Sequence, residues 1–321
     1  MNEVKLPRIE MAGRYKIEVR RRGELVHDTG WFDNLITNAG LEAIGEDKRL
    51  SRYCMVGTDN TAPANTNTTL GAQIAYQDGT SATSQGVETS SPRYGWFRNT
   101  YTFPQGAVVG NVAEVGVGWS TTAVFSRSLV SPAISLLSID QLTVVYELRM
   151  YLPTTNTTGS VTIGGDTYNY TIRPALAATS FFAGSGSWAG WVPALLTLGA
   201  TTRAWANGSP AAFSFGPPCV VQTDVEVASL KQTDGGTNSP GGSNPSDTPD
   251  SVSNAAYVPG SLSCQFTLTW GISRGNSTGG IRGFLYSGLF GTYQCVLDAT
   301  IPKDNTKTLA MTWSQTWARR P

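Results

Sequence analysis

Alternation of apolar and polar residues runs through most of the chain. Tyr15, Ile17 and Val19 alternate with Arg14, Lys16, Glu18 and Arg20, which predicts a strand with one buried and one charged face. Arg22-Gly23 supplies a turn. A return strand carrying His27 then runs toward Trp31 and Phe32, so the chain opens on a β-hairpin. Leu142, Val144, Tyr146, Leu148 and Met150 hold period two without a break. Further strands are predicted over residues 96–103, 112–119, 123–130, 220–230, 262–270, 281–286, 293–299 and 309–317. A second hairpin joins residues 161–163 to 168–172 through Gly164-Gly165-Asp166.

Only residues 34–45 read as a helix. Thr37 or Asn38 can cap it, Leu41 and Ile44 share one face, and Gly45 can end it. A helix this short is marginal alone, so it needs a dock, and Trp31-Phe32 is the nearest apolar anchor. Residues 57–92 are polar, with Tyr76 their only aromatic before the strand signal resumes. They are predicted as a long surface loop with one helical turn near 70–74. Residues 231–251 contain no apolar side chain and are predicted as a linker or loop.

The tail echoes the middle at a constant offset. Thr100-Tyr101-Thr102-Phe103 falls on Thr267-Leu268-Thr269-Trp270, Gly116-Val117 on Gly283-Phe284, and Leu142, Val144 and Tyr146 on Leu309, Met311 and Trp313. Two readings are open: a duplicated β unit, or the resemblance that alternation alone gives any two strands. The fold class is mainly β, of antiparallel β-sandwich units with one short N-terminal helix, and two related copies if the repeat is real. The organisation expected is residues 1–56 as a hairpin-plus-helix attachment module, 57–152 as a first sandwich, and 153–321 as a second, interrupted at 231–251.

Composition sharpens this picture. The 321 residues include 35 Gly, 17 Pro and 32 aromatics (9 Trp, 12 Tyr, 11 Phe), which suits strands and turns and excludes a helical bundle. Lys plus Arg and Asp plus Glu number 23 each, so no net charge draws the chain to nucleic acid or an anionic membrane. No apolar run has the length of a membrane span or of a signal peptide, which predicts folding in a cytosol with the four cysteines as thiols.

Candidate chemistry is sparse. His27 is the single histidine and lies near no nucleophile elbow, and no zinc spacing, P-loop or dinucleotide fingerprint occurs. Glu88, Glu114, Asp140 and Glu147 are the carboxylates in strand context, but their spacing selects no acid–base pair, and solvated faces or inter-strand ion pairs account for them. Asp59-Asn60 and residues 234–250 offer oxygen ligands without an EF-hand pattern. Trp188 and Trp191 share a face if extended and could stack on a sugar, against a core or interface role. No catalytic residue, metal or cofactor is assigned.

Five segments in order carry a resemblance. They are Trp31-Phe32-Asp33-Asn34-Leu35-Ile36-Thr37-Asn38-Ala39-Gly40-Leu41, then Val56-Gly57-Thr58-Asp59-Asn60-Thr61-Ala62-Pro63, then Gly110-Asn111-Val112-Ala113-Glu114-Val115-Gly116, then Val124-Phe125-Ser126-Arg127, and Tyr146-Glu147-Leu148-Arg149. This stretch, residues 12–152, resembles a family of tailed-bacteriophage structural proteins. The second half matches only through the repeat, whose copy lacks the motif around Glu114. The resemblance implies a non-enzymatic virion component: a tail tip, baseplate or fibre-anchoring protein active in host attachment. It would be made in host cytoplasm and assembled with other tail proteins and with copies of itself. The competing roles are a collar, connector or head-decoration protein, a module binding a bacterial surface glycan or receptor, and, least, a depolymerase. Glu114, Gly116, Phe125 and Arg127 are its motif residues. Trp31, Phe32, Leu41 and Ile44 are the expected assembly interface. No nucleic acid partner and no membrane insertion are expected.

Overall fold

The computed structural model describes residues 3–46, 48–79, 82–88, 90–92, 94–151, 153, 155–174, 219–221, 249–276, 280–288 and 291–321. They are mainly β, as the alternation predicts, with one short helix. Trp188, Trp191 and residues 231–248 of the expected linker lie outside them.

Three sheets form. The largest has β1 (Glu3–Lys5), β2 (Ile9–Arg21), β3 (Glu24–Asp33), β7 (Ala82–Glu88), β8 (Tyr94–Thr102), β11 (Asp140–Tyr151), β15 (Ser251–Asn254), β16 (Ser263–Trp270) and β19 (Leu309–Arg319). Its order is β15-β16-β19-β2-β11-β8-β7, with β1 on β19 and β3 on β2. A second sheet joins β4 (Leu35–Ile36), β5 (Tyr53–Gly57), β6 (Gln73–Asp78), β9 (Gly110–Gly118) and β10 (Ser126–Leu136) in the order β4-β10-β9-β5-β6. The third runs β12-β13-β18-β17-β14, from β12 (Thr157–Ile163), β13 (Asp166–Pro174), β14 (Cys219–Val221), β17 (Ile281–Gly288) and β18 (Gly291–Ile301).

The two smaller sheets pack on one face of the large one. Tyr15 of β2 reaches Ser126 of β10, oxygen to oxygen at 2.7 Å. Trp270 and Trp313 close on Phe284 of β17 at ring separations of 5.7 and 5.8 Å. A single hydrophobic core joins residues of all three sheets. Residues 1–56 therefore do not stand apart as a module: β2 lies at the centre of the large sheet, antiparallel to β11 and parallel to β19.

The helix α1 (Asn38–Gly45) starts later than expected, because Leu35-Ile36 pair with β10 as β4. Thr37 caps it, its hydroxyl accepting from Gly40 N at 2.9 Å. It also docks elsewhere than on Trp31-Phe32. The Trp317 indole donates to Leu41 O at 2.9 Å, Tyr257 stacks on Trp317, and the Tyr257 hydroxyl donates to Glu42 at 2.7 Å. These contacts tie the helix to the C-terminal half.

Residues 57–92 are a second correction. Where one loop and a helical turn were expected, β6 and β7 form. Both are outermost strands, each paired on one side among the described residues, so their sequences need little apolar alternation.

The ladder registers bear on the repeat. β8 and β11 pair Asn99 with Tyr146, Thr100 with Val145, Tyr101 with Val144 and Thr102 with Thr143. Moving every residue by the offset that takes Thr100 to Thr267 gives Phe266–Trp313, Thr267–Thr312, Leu268–Met311 and Thr269–Ala310. Those are the partners observed between β16 and β19. Alternation fixes which face a side chain takes, not which residue lies opposite it, so the match favours two related units.

Gly40 gives a test of the helix dock. A Cβ there would meet Phe125 O at 2.1 Å, a backbone atom held in a strand end. Gly40→Ala is expected to lower stability by about 1–3 kcal/mol or more, the range for overpacking a fixed site, read as a fall in denaturation midpoint.

Candidate functional site

Two polar clusters dominate, on opposite outer faces of the first unit. The first begins in β9, where Val115 and Val117 enter the core and Glu114 faces outward. Gly116 sits opposite Arg127 of β10, and a Cβ there would press on Leu70, Val124 and Ser126 O at 3.0 Å each. Glu114 is fully buried because residues 58–72 fold over it. Its carboxylate accepts from Ala72 N at 2.7 Å, Gly71 N at 3.0 Å and Arg127 Nε at 2.8 Å. The other guanidinium nitrogens of Arg127 donate to Asn67 Oδ1 at 3.0 Å, Asp59 Oδ2 at 2.8 Å and Thr61 O at 3.1 Å. Asp59 also accepts from the Thr61 hydroxyl and N–H. Those two bonds, with Arg127 adding to them, hold its carboxyl below the usual range. Gly57 and Gly71 are required here, since a Cβ would strike Glu114 Oε1 at 2.3 Å and Asp59 Oδ2 at 2.0 Å respectively. Under the clamped loop, Leu70 packs with Met55 and Val124.

Asp59-Asn60, considered as a cation site, is thus occupied by a guanidinium from the same chain. Among the described residues no cluster of His, Cys, Asp and Glu has the makings of a metal site.

The second cluster lies on the far face of the large sheet. Its register stacks three rows: Arg14, Glu147 and Arg98; then Ala12, Arg149 and Trp96; then Glu10, Tyr151 and Tyr94. Glu147 is fully buried under arginines. Arg14 reaches it with Nε at 2.8 Å and Nη2 at 3.2 Å, Arg98 with Nε at 2.5 Å, and Arg149 with Nε at 2.7 Å. Burial opposes ionisation of Glu147, but the bonds to Arg14, Arg149 and Arg98 outweigh it and hold the carboxyl below its ordinary value. The guanidiniums also lie over aromatic rings: Arg14 is 4.2 Å from the Trp31 centroid, Arg98 4.1 Å from that of Trp96, and Arg149 4.6 Å from that of Tyr94.

The other candidates are placed apart. Leu41 and Ile44 are buried in the chain's own core, so they cannot serve the assembly interface expected of them. Phe32 packs partly against that core, its ring tilted against that of Tyr15 at 6.0 Å, while Trp31 stays half-buried under Arg14. Phe125 is core, and His27 lies half-buried on β3. Asp140 pairs with Arg21 at 2.7 Å, and Glu88 sits on β7. Cys54 and Cys295 are buried free thiols, and burial pushes both up. A cleft of about 580 Å³ opens between β12–β13 and β18–β19. Its Lys303 amine is bonded to Gly271 O, Asn276 Oδ1 and Asp304 O, so it is not a ready nucleophile. The four candidate carboxylates do not converge on one cleft.

The clamp predicts a large cost for losing one charge. Glu114→Gln leaves Arg127 with Asp59 as its one remaining anion and should destabilise the chain by about 1–3 kcal/mol in denaturant unfolding. It should also open residues 58–72 to limited proteolysis. Acid should act through the depressed carboxyls of Glu147, Asp59 and Asp140. A group whose folded value lies below its unfolded one stabilises above the unfolded value and loses that contribution as pH falls through the folded one. Thermal stability should therefore hold from neutral pH down to about 5 and fall steeply below about 4, in a pH series of melts. Comparison of the chain with protein-family models, curated proteins and solved structures found no match, so its reading rests on these residues.

Proposed function

We propose that the chain is a structural subunit of a bacteriophage tail, at the tail tip, baseplate or fibre anchor, contributing to host attachment. One observation carries the reading: residues of the five segments that resemble that family bond to one another. Arg127 of the fourth segment holds Asp59 and Thr61 of the second and Glu114 of the third. Tyr146 of the fifth lies 3.5 Å from Asn34 of the first, as oxygen to side-chain nitrogen. Glu147 and Arg149 pair with each other, and the Arg14 bound to Glu147 covers Trp31. Motif residues that spend their charges on each other suit a part whose task is to keep its shape among neighbours.

Assembly would use strand edges and apolar patches. On β6, an outermost strand, Ile74 and Tyr76 are 44% and 54% exposed, a surface open to a neighbouring subunit. The chain would act in the tail of the virion after folding in host cytoplasm, with other tail proteins and copies of itself as partners.

The test is location. Antibody-gold against this chain, applied to intact particles from a lysate that makes it, should decorate the distal tail. Decoration of the collar or head would move it to a connector or decoration role. Absence from washed particles would overturn the proposal.

A further inference from the structure

We propose that the arginine–aromatic face of β2, β11 and β8 is a binding site for an acidic polysaccharide, one bearing carboxylates on separate sugar rings. The inference is independent of where in a virion the chain sits.

Three guanidiniums surround one carboxylate, leaving a local excess of two positive charges on a chain that is neutral overall. Their side chains remain 22%, 32% and 17% exposed for Arg14, Arg98 and Arg149, while Glu147 beneath them is fully covered. Arg98 meets Glu147 through Nε alone. Among the described residues its terminal nitrogens have no acceptor, which leaves a fork shaped for an incoming carboxylate. The shared anion and the stacked rings already fix these side chains, so little rotamer freedom remains to be lost on binding. Between them Ala12 presents only a methyl, beside Arg149 in its row. Arg320 lies over Tyr151 in the next row, its guanidinium 3.9 Å from the ring centroid. Trp31, Trp96 and Tyr94, half-buried beneath the guanidiniums, hold the arginine planes in place and leave ring edges beside them.

The surrounding charges choose among polyanions. Glu10, Glu18, Asp28 and Glu88 border the arginines on the same sheet and hairpin, the first paired with Arg8 and Arg320 and the next two sharing the single charge of Lys16. Duplex DNA carries a charge every ~1.7 Å along its axis and would press phosphates against those carboxylates. A polymer with its charges spaced a sugar apart can place them on the guanidiniums and pass the acidic border with neutral hydroxyls.

The probe is polygalacturonate, measured by calorimetry with the full chain at low and physiological salt. Dextran, duplex DNA and fully methyl-esterified polygalacturonate are the comparisons. Polygalacturonate should bind at least about tenfold tighter than any of the three, the worth of one good charged contact, and should weaken with salt. Arg98→Gln should weaken it several-fold at a temperature where circular dichroism shows the variant still folded, its melting point lowered by the lost bond to Glu147, and Arg20→Gln, at the hairpin tip, should not. Esterification tests the charge requirement on the unaltered chain, so the outcome stands even if Arg98→Gln unfolds. Equal binding of the esterified polymer, equal binding of DNA, or no binding at low salt would each overturn the proposal.

Discussion

The buried pair of Glu114 and Arg127 decides the shape of the first unit. Without it, residues 58–72 would cross the outer face of the second sheet held only by Leu70 on Met55 and Val124 and by a few backbone bonds. Taking both charges out of water is costly, and the pair is tolerable because both carboxylate oxygens and all three guanidinium nitrogens find partners. Backbone N–H groups of Gly71 and Ala72 complete the carboxylate, and Asp59, Thr61 and Asn67 complete the guanidinium. The ion pair thus acts less as glue than as a template: it specifies one path for a loop whose own side chains are too polar to collapse.

The second unit lacks this device. The offset that superposes the ladders puts Ile281 where Glu114 stands and Gln294 where Arg127 stands, but the ladder between β17 and β18 is shifted by two residues and sets Val296 opposite Gly283. Ile281 and Val296 are apolar and buried. The two frameworks therefore differ here in ladder register as well as in residue type, a charged template for a loop standing against hydrophobic packing. The large sheet joins them, and Trp313 on the second side corresponds to Tyr146 on the first.

Sequence patterns reveal the fold class because wide strands with one buried face must alternate, and β2, β8, β11, β16 and β19 do. Alternation fades in β6 and β7, where a single ladder neighbour and a wet face leave little apolar signal. The helix's existence was legible from Thr37 and Gly45. Its dock was not, since Trp317 lies 276 residues from Leu41. Glu114 and Arg127 stood out as motif residues, but their bonds to residues 59–72 depend on how a polar loop crosses a sheet. The cluster at Glu147 was half visible, as a carboxylate two residues from Arg149 on the polar side of the cleanest strand. Arg14, Trp31 and Arg98 join it only through registers that no local pattern reports.

The position of β2 between β11 and β19 bears on how the chain is born. On the ribosome β11 emerges soon enough to cover one side of β2, but β19 begins 288 residues after β2 ends (309 less 21). At ordinary rates of synthesis, about 5–20 residues per second, that leaves roughly 15–60 s in which Ile9–Met11, the stretch that β19 pairs, stays open on a flank that β3 covers from Arg14 to Arg21. A nascent chain in that interval offers its backbone to any passing β segment, including another nascent copy. Polysome crowding, chaperone supply and translation speed thus become determinants of yield for this architecture.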